Sequence, residues 1–131
     1  MAHSINRVWR VARLPAPAEA ITRELFHLEE EAVPEPADGE CLVRTLCLAP
    51  GPAQRAYLTR ATRSGASEPL RPGDVMRGRG VGQVIRSRAA EFQEGDIVVA
   101  SLGWQDYSLQ RARGADFVFS TRKVAPDLRP L

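Results

Sequence analysis

The chain has 131 residues, which is enough for one domain with a substantial core. Apolar residues make up 44% and charged residues 26%, an ordinary composition for a soluble globular protein. The longest uncharged apolar stretch, residues 97–104, is far shorter than a membrane span, and M-A-H-S-I-N-R at the N-terminus lacks the apolar region of a secretory signal, so we expect a cytoplasmic protein without a membrane partner.

The sequence predicts short strands separated by turns, with little helix. Each predicted strand is rich in apolar residues and is bounded by Gly, Pro or Asp. The segment 53–60 is the best candidate for a short helix because Pro52 stands near its start, and residues 61–73 are predicted as a loop. This spacing favours a barrel or sandwich over β-α-β units. The predicted strands cover residues 8–14, 24–33, 40–48, 75–87, 96–102, 104–109 and 116–124.

The segment R-G-R-G-V-G-Q (77–83) combines glycine with arginine, as phosphate-binding loops do. A dinucleotide site needs G-x-G-x-x-G between a strand and a helix, but Gln83 stands where the third glycine is required and β-type sequence follows it. We therefore predict that Gly78, Gly80 and Gly82 are structural and lie in extended or bulged backbone. We also predict that the chain alone binds NADPH weakly or not at all.

The net charge of +2 conceals an uneven distribution. Six acidic residues fall within 29–40, whereas 55–88 carries eight arginines against two acidic residues. Such an arginine patch could meet phosphate on a cofactor or a nucleic acid, or it could be a solvated surface in a chain with one lysine. The solvated surface is the favoured interpretation, and nucleic-acid binding is not expected because few aromatic residues interleave with the arginines.

The two cysteines, Cys41 and Cys47, are predicted on one face of the strand 40–48. Six steps along a strand separate them by roughly 20 Å, which is too far for a disulfide. Both are therefore expected to be buried structural thiols, with a reactive or metal-bound thiol as the alternative. We expect no metal site, because His3 and His27 make no ligand cluster with them.

Three longer segments are similar to those of one known family. They read R-T-L-C-L-A-P-G-P-A-Q-R-A-Y-L (44–58), G-D-V-M-R-G-R-G-V-G-Q-V-I-R-S (73–87) and F-Q-E-G-D-I-V-V-A-S-L-G-W-Q-D-Y (92–107). The chain thus resembles the N-terminal domain of zinc-independent medium-chain dehydrogenases/reductases, in the branch of alkenal double-bond reductases and prostaglandin reductases. The similarity covers nearly the whole chain, and G-W-Q-D-Y is its most specific part.

The resemblance implies a mainly β fold, a GroES-like, partly open β-barrel with one or two short helices, in which residues 1–131 form a single domain. In the family this domain is one wall of a cleft. A Rossmann domain binds NADPH, whose hydride goes to the β-carbon of an α,β-unsaturated aldehyde or ketone. No cofactor is expected in this chain alone. NADPH is implied for a full-length member, with a Rossmann domain as a possible partner.

The resemblance also suggests residues of the cleft. Arg55 matches the arginine of the family's D-P-x-x-R turn, although Gly51 replaces the acid and Ala53 stands where the branch often has an aromatic residue. The ring-bearing candidates to line the cleft are Tyr57, Trp104 and Tyr107, and the catalytic residue is unknown. The alternatives are that Trp104 and Tyr107 pack in the core or at its rim, and that Arg55 is an ion-pair partner.

Three functions remain open, so whether the chain by itself is an enzyme is uncertain. It could be the substrate-side domain of an NADPH-dependent enone or alkenal reductase, incapable of hydride transfer alone. It could be a stand-alone module that binds a small apolar ligand or a partner, or it could catalyse a non-redox biosynthetic step such as a cyclisation. Without a second domain the cleft face would be open to water, so we also expect a homodimer.

Overall fold

The computed structural model describes residues 5–51, 53–59, 70–111 and 122–124. Within these ranges the chain forms strands connected mainly by turns, with a single turn of 3-10 helix at Arg23–Leu25 and one short helix, α1. None of the helices in the described ranges has the length and apolar character needed to cross a membrane. The elements are β1 (Ile5–Val11), β2 (Phe26–Ala32), β3 (Cys41–Leu48), α1 (Ala53–Leu58), β4 (Arg79–Ser87), β5 (Ile97–Ser101), β6 (Tyr107–Gln110) and β7 (Arg122–Lys123).

The strands form two antiparallel sheets. One is the pair β1–β2, and the other has five strands in the order β6-β3-β4-β5-β7. The smaller sheet is tied to the larger one through β1, which makes isolated bridges from Val8 to Gln105 and from Arg10 to Val75. The sheets do not close on each other, so the predicted mainly β, partly open barrel is confirmed.

Two clusters of buried side chains fill the interior. Alternation along β4 and β5 places every second residue inside, which is the period that a half-buried strand requires. The first cluster contains Cys41, Val43, Val84, Ala89, Phe92, Val98, Ala100 and Leu102. The second contains Val11, Leu58, Leu70 and Met76, with Phe26, Tyr57 and Trp104 packed against it.

The glycines of 77–83 lie where strands and rings approach the backbone closely. Gly80 and Gly82 are within β4, and a Cβ at either position would overlap β3, at the carbonyl oxygen of Cys47 and the side chain of Val43 respectively. A Cβ at Gly78 would lie 2.8 Å from Cδ1 of Trp104. The prediction of structural glycines in extended backbone is confirmed for Gly80 and Gly82, because both lie within β4, whereas Gly78 lies one residue before that strand.

The prediction that both cysteines are buried is correct for Cys41 and wrong for Cys47. Pairing between β3 and β4 shifts from Thr45↔Gly82 to Cys47↔Val81, so the intervening Leu46 is an extra residue in β3. Such a bulge reverses the alternation, which exposes Cys47. Burial raises the pKa of the Cys41 thiol to about 11. Both cysteines are free.

Two predicted segments fall partly outside the described residues. Of the strand predicted at 116–124, the structure describes only 122–124, which include the two residues of β7. Of the loop predicted at 61–73, it describes 70–73.

Candidate functional site

A groove of about 510 Å³ lies between the small sheet and the C-terminal end of β3. Its volume falls within the range of small-molecule sites, roughly 300–1,000 Å³. The walls are largely apolar, with four large side chains from β1, β2, β3 and the segment before β6. The groove is lined by Arg7, Trp9, Leu28, Thr45, Leu48, Trp104, Gln105 and Asp106.

Backbone hydrogen bonds on both sides fix the position of Trp104 in this wall. Its N–H donates to the carbonyl of Met76 at 2.8 Å, and its carbonyl accepts from the N–H of Trp9 at 2.8 Å. The ring packs on Phe26 with centroids 5.2 Å apart, and it also lies against Gly78. Trp104 is therefore held by the backbone and by ring packing, which gives the groove a preformed wall.

An ion pair closes the polar end of the groove. Arg7 Nε donates to Oδ2 of Asp106 at 2.8 Å, Arg7 Nη2 donates to Oδ1 at 3.1 Å, and the Arg7 backbone N–H donates to Oδ2 at 3.0 Å. These hydrogen bonds are the main reason that the pKa of Asp106 lies below its usual range. The two-pronged geometry joins β1 to the segment before β6.

The amide of Gln105 is committed to the protein itself. Its Nε2 donates to the carbonyl of Leu102 at 3.0 Å, and its Oε1 accepts from Nδ2 of Asn6 at 3.2 Å. Gln105 therefore holds the shape of the groove rather than offering a free polar group to a ligand.

Thr45 is the polar residue of the groove that remains unsatisfied. Its Oγ1 is buried and has no hydrogen-bond partner. A buried hydroxyl without a partner destabilises a protein by about 1–3 kcal/mol. A ligand oxygen that accepted a hydrogen bond from Thr45 would remove that penalty, so the hydroxyl can recognise an acceptor in this groove.

The four residues suggested by the sequence lie at different places. Trp104 lines the groove, and Tyr107 lines an adjoining depression of about 440 Å³ that shares Thr45 with it. Tyr57 is half-buried in the second cluster beside Trp104, and the guanidinium of Arg77 lies 5.5 Å from its ring centroid. Arg55 is exposed on α1 and lines neither cavity.

Sequence reasoning did not single out Trp9, Thr45 or Gln105. Gln105 stands inside the quoted G-W-Q-D-Y motif and Trp9 in a predicted strand, so both were visible as members of motifs. Thr45 stands in the quoted segment 44–58, but nothing there distinguished it, because the burial of its hydroxyl depends on how β3 packs.

The glycines of 77–83 do not form a dinucleotide loop. Gly80 and Gly82 lie within β4, and β3 fills the space beside them, so no helix N-terminus is available there for a pyrophosphate. In the described ranges no three His, Cys, Asp or Glu residues are grouped as metal ligands.

The comparison with known families gives the identification. Residues 7–118 match the family described as the N-terminal domain of oxidoreductase. The chain belongs to this family. The GroES-like domain of zinc-independent medium-chain dehydrogenases/reductases, inferred from the motifs, is thereby confirmed.

Individual members of the family show the extent of the similarity. The NADPH-dependent curcumin reductase of Escherichia coli is 36% identical over 113 residues, which are 86% of this chain and 31% of that protein. Prostaglandin reductase 1 of Sus scrofa is 33% identical over 106 residues, 81% of this chain and 29% of that one. The crystal structure of CurA from Vibrio vulnificus in complex with NADPH superposes with a TM-score of 0.72 at 37% identity, covering 82% of this chain and 31% of that one. The chain thus spans about a third of the length of these relatives.

Proposed function

We propose that this chain is the substrate-side domain of an NADPH-dependent reductase of α,β-unsaturated carbonyl compounds. The groove carries the proposal, because it combines apolar walls with one buried hydroxyl, of Thr45, that has no partner. Relatives named as curcumin reductase and prostaglandin reductase support the reaction class. NADPH would supply the hydride, and the residues that hold it would lie outside the part of the chain described above.

The role assigned to this chain is to bind and orient the unsaturated ligand. The apolar chain of the ligand would pack on Trp9 and Trp104, and its carbonyl oxygen would accept a hydrogen bond from Thr45 Oγ1. That hydrogen bond draws electron density from the conjugated double bond, and it strengthens as negative charge develops on the oxygen. Thr45 is thus the proposed recognition residue, and the ion pair of Arg7 and Asp106 keeps the end of the groove in place.

Ligand binding tests the first part of the proposal, which is that this chain binds an enone. We expect benzylideneacetone, an enone, to change the tryptophan fluorescence of the chain in a saturable manner. Thr45→Val, which keeps the shape but removes the hydroxyl, should weaken binding about tenfold, whereas Thr45→Ser should retain most of the affinity. Thr59→Val is the matched control, since the Thr59 hydroxyl lies at the end of α1 and donates to the carbonyl of Arg55.

A chimeric protein tests the second part of the proposal, which is that the bound enone is reduced by NADPH. This chain replaces the matching first third of the E. coli curcumin reductase, and enone-dependent oxidation of NADPH is then measured. We expect activity, and Thr45→Val should lower kcat as well as raise KM, because the hydrogen bond is stronger in the transition state. If the chimera folds and the chain binds the enone but no NADPH is consumed, the reductase function is wrong and the chain is a binding module. If the chain itself does not bind the enone, both the reductase function and the binding-module function are wrong.

A further inference from the structure

We propose that Arg77, Arg79 and Ser101 form a site for an oxyanion, carried by a ligand as a phosphate or a carboxylate group. The site lies beside the groove and does not depend on the proposed reductase function. It rests on two features of residues 77–79, where β4 begins. The first is guanidinium groups without partners, and the second is an adjacent cavity with polar residues in its lining.

The first feature is that these two arginines lack the partners that other arginines of the chain have. Nη1 of Arg77 and both Nη1 and Nη2 of Arg79 are buried without a hydrogen-bond partner. No ion pair among the described residues includes either of them. The expectation that the arginine patch is a solvated surface is therefore wrong at these two positions. Ion pairs with a carboxylate are seen, within the described ranges, for Arg7, Arg10, Arg13, Arg86, Arg88 and Arg111.

Buried guanidinium nitrogens without acceptors are unfavourable. Arginine stays charged at any ordinary pH, so it cannot avoid the penalty by losing its proton. Arg77 is partly compensated by the ring of Tyr57, whose centroid is 5.5 Å from its Cζ. An anionic acceptor would satisfy the remaining nitrogens, and the planar fork of arginine suits the paired oxygens of phosphate and carboxylate.

The second feature is a cavity of about 210 Å³ that Arg77 lines. Ser101 lines the same cavity, and it stands opposite Arg79 in the pairing of β4 with β5. The hydroxyl of Ser108, also in the lining, accepts from Gln110 Nε2 at 2.9 Å and keeps its own proton to donate. None of the described residues that line the cavity is acidic.

These features together select an anion rather than a cation or an apolar group. The cavity presents an arginine and hydroxyl groups, which are donors, and its described lining offers no carboxylate to neutralise the charge. The glycines of 77–83 serve the packing of strands, whereas the arginines between them supply the charge that an oxyanion needs.

Thermal unfolding of the chain in phosphate, acetate or chloride at equal ionic strength tests the site. We expect Tm to rise by several degrees and to saturate with phosphate or with acetate, but not with chloride. A response to phosphate alone identifies a phosphate ligand, and a response to acetate alone identifies a carboxylate. No saturable response to either anion would overturn the proposal.

Two variants separate an anion site from a structural role. Arg77→Met and Arg79→Met should each weaken anion binding about tenfold or more. Without anion their Tm should be unchanged or higher, because an unpaired buried charge is removed. A structural arginine would instead lower Tm in both conditions and leave the affinity unchanged, and that result would reject the site.

A third variant covers the case in which a methionine variant does not fold. Arg79→Lys keeps the charge and the length of the side chain but loses the two-pronged geometry, so it should fold and bind the anion more weakly. Arg86→Met is the control on the same strand, since Arg86 pairs with Glu35 at 2.7 Å, and it should leave the anion-induced shift intact.

Discussion

The two ends of β3 are joined to β4 in different ways. At the first end, Val43 pairs with Val84 and both side chains are buried in the first cluster, so contacts between side chains hold the strands. At the second end, Leu48 pairs with Gly80, and the absence of a side chain on the glycine lets the backbones of the two strands approach. The pairing shifts register near both ends, between Leu42 and Val43 and between Thr45 and Cys47. The first end, the core end, is filled by buried side chains, whereas the second, the groove end, leaves Thr45 and Leu48 to line the groove.

This difference shows how one strand can serve both stability and binding. At the core end of β3 the packed side chains leave no space for a ligand. At the groove end the bulge at Leu46 breaks the alternation and shifts the register, and Gly80 and Gly82 on β4 let the two strands stay close despite it. Three experiments test this difference between the two ends of β3.

Gly80→Ala should have the largest effect. A Cβ at this position would overlap the carbonyl oxygen of Cys47, which is backbone and cannot move away alone. We expect the free energy of unfolding to fall by about 3 kcal/mol, as measured by urea denaturation. Gly51→Ala is the control, because a Cβ at Gly51 would meet no atom within 4 Å. Equal effects of the two substitutions would refute the close approach of the strands.

The cysteines mark the two ends of β3 and should differ in reactivity. Cys41 is buried, and burial raises the pKa of its thiol to about 11, whereas Cys47 is exposed. At pH 7 we expect Cys47 to react with a thiol reagent roughly a hundred times faster, because the thiolate is the reacting form and must be accessible. Mass spectrometry after Cys47→Ser and Cys41→Ser assigns the two rates. Similar rates in the native chain would show that the bulge does not expose Cys47.

The ion pair of Arg7 and Asp106 should have the smallest effect. The Asp106 carbonyl accepts from the N–H of Thr45 at 2.7 Å, so this pair braces the groove end. The hydrogen bonds from Arg7 lower the pKa of Asp106 in the folded state. The stabilisation by the ion pair is therefore fully present above the pKa of an unfolded aspartate, about 3.9. It is lost as the pH falls through the lower pKa that Asp106 has in the folded state.

Asp106→Asn should remove this pH-dependent part. We expect it to lower stability by up to about 1 kcal/mol at pH 7 and to flatten the loss of stability below pH 4, measured by urea denaturation across pH. Glu94→Gln, at an exposed carboxylate for which no hydrogen bond is described, serves as the control. An unchanged acid profile in Asp106→Asn would mean that the pair contributes nothing to the groove end.

Local sequence patterns were enough to predict most of the strands, the structural role of Gly80 and Gly82, and the family. Strands follow from alternation and turn residues, which are local properties, and the predicted segments 40–48 and 96–102 lie within a residue of β3 and β5. Gln83 and the β-type residues after it were enough to exclude a dinucleotide loop at the glycines. The segments 44–58, 73–87 and 92–107 indicated the family, because a resemblance between sequences can be recognised without the fold.

Which side chains are exposed, and which polar groups have a hydrogen-bond partner, could be read only from the folded chain. Both properties depend on residues that are distant in sequence. The bulge at Leu46 arises from pairing with β4, and it placed Cys47 outside where alternation alone predicted burial. The unpaired nitrogens of Arg77 and Arg79 and the hydroxyl of Thr45 are buried by other strands and segments. Burial away from water makes a polar group expensive to leave unpaired, and only the packed fold shows which groups are in that state.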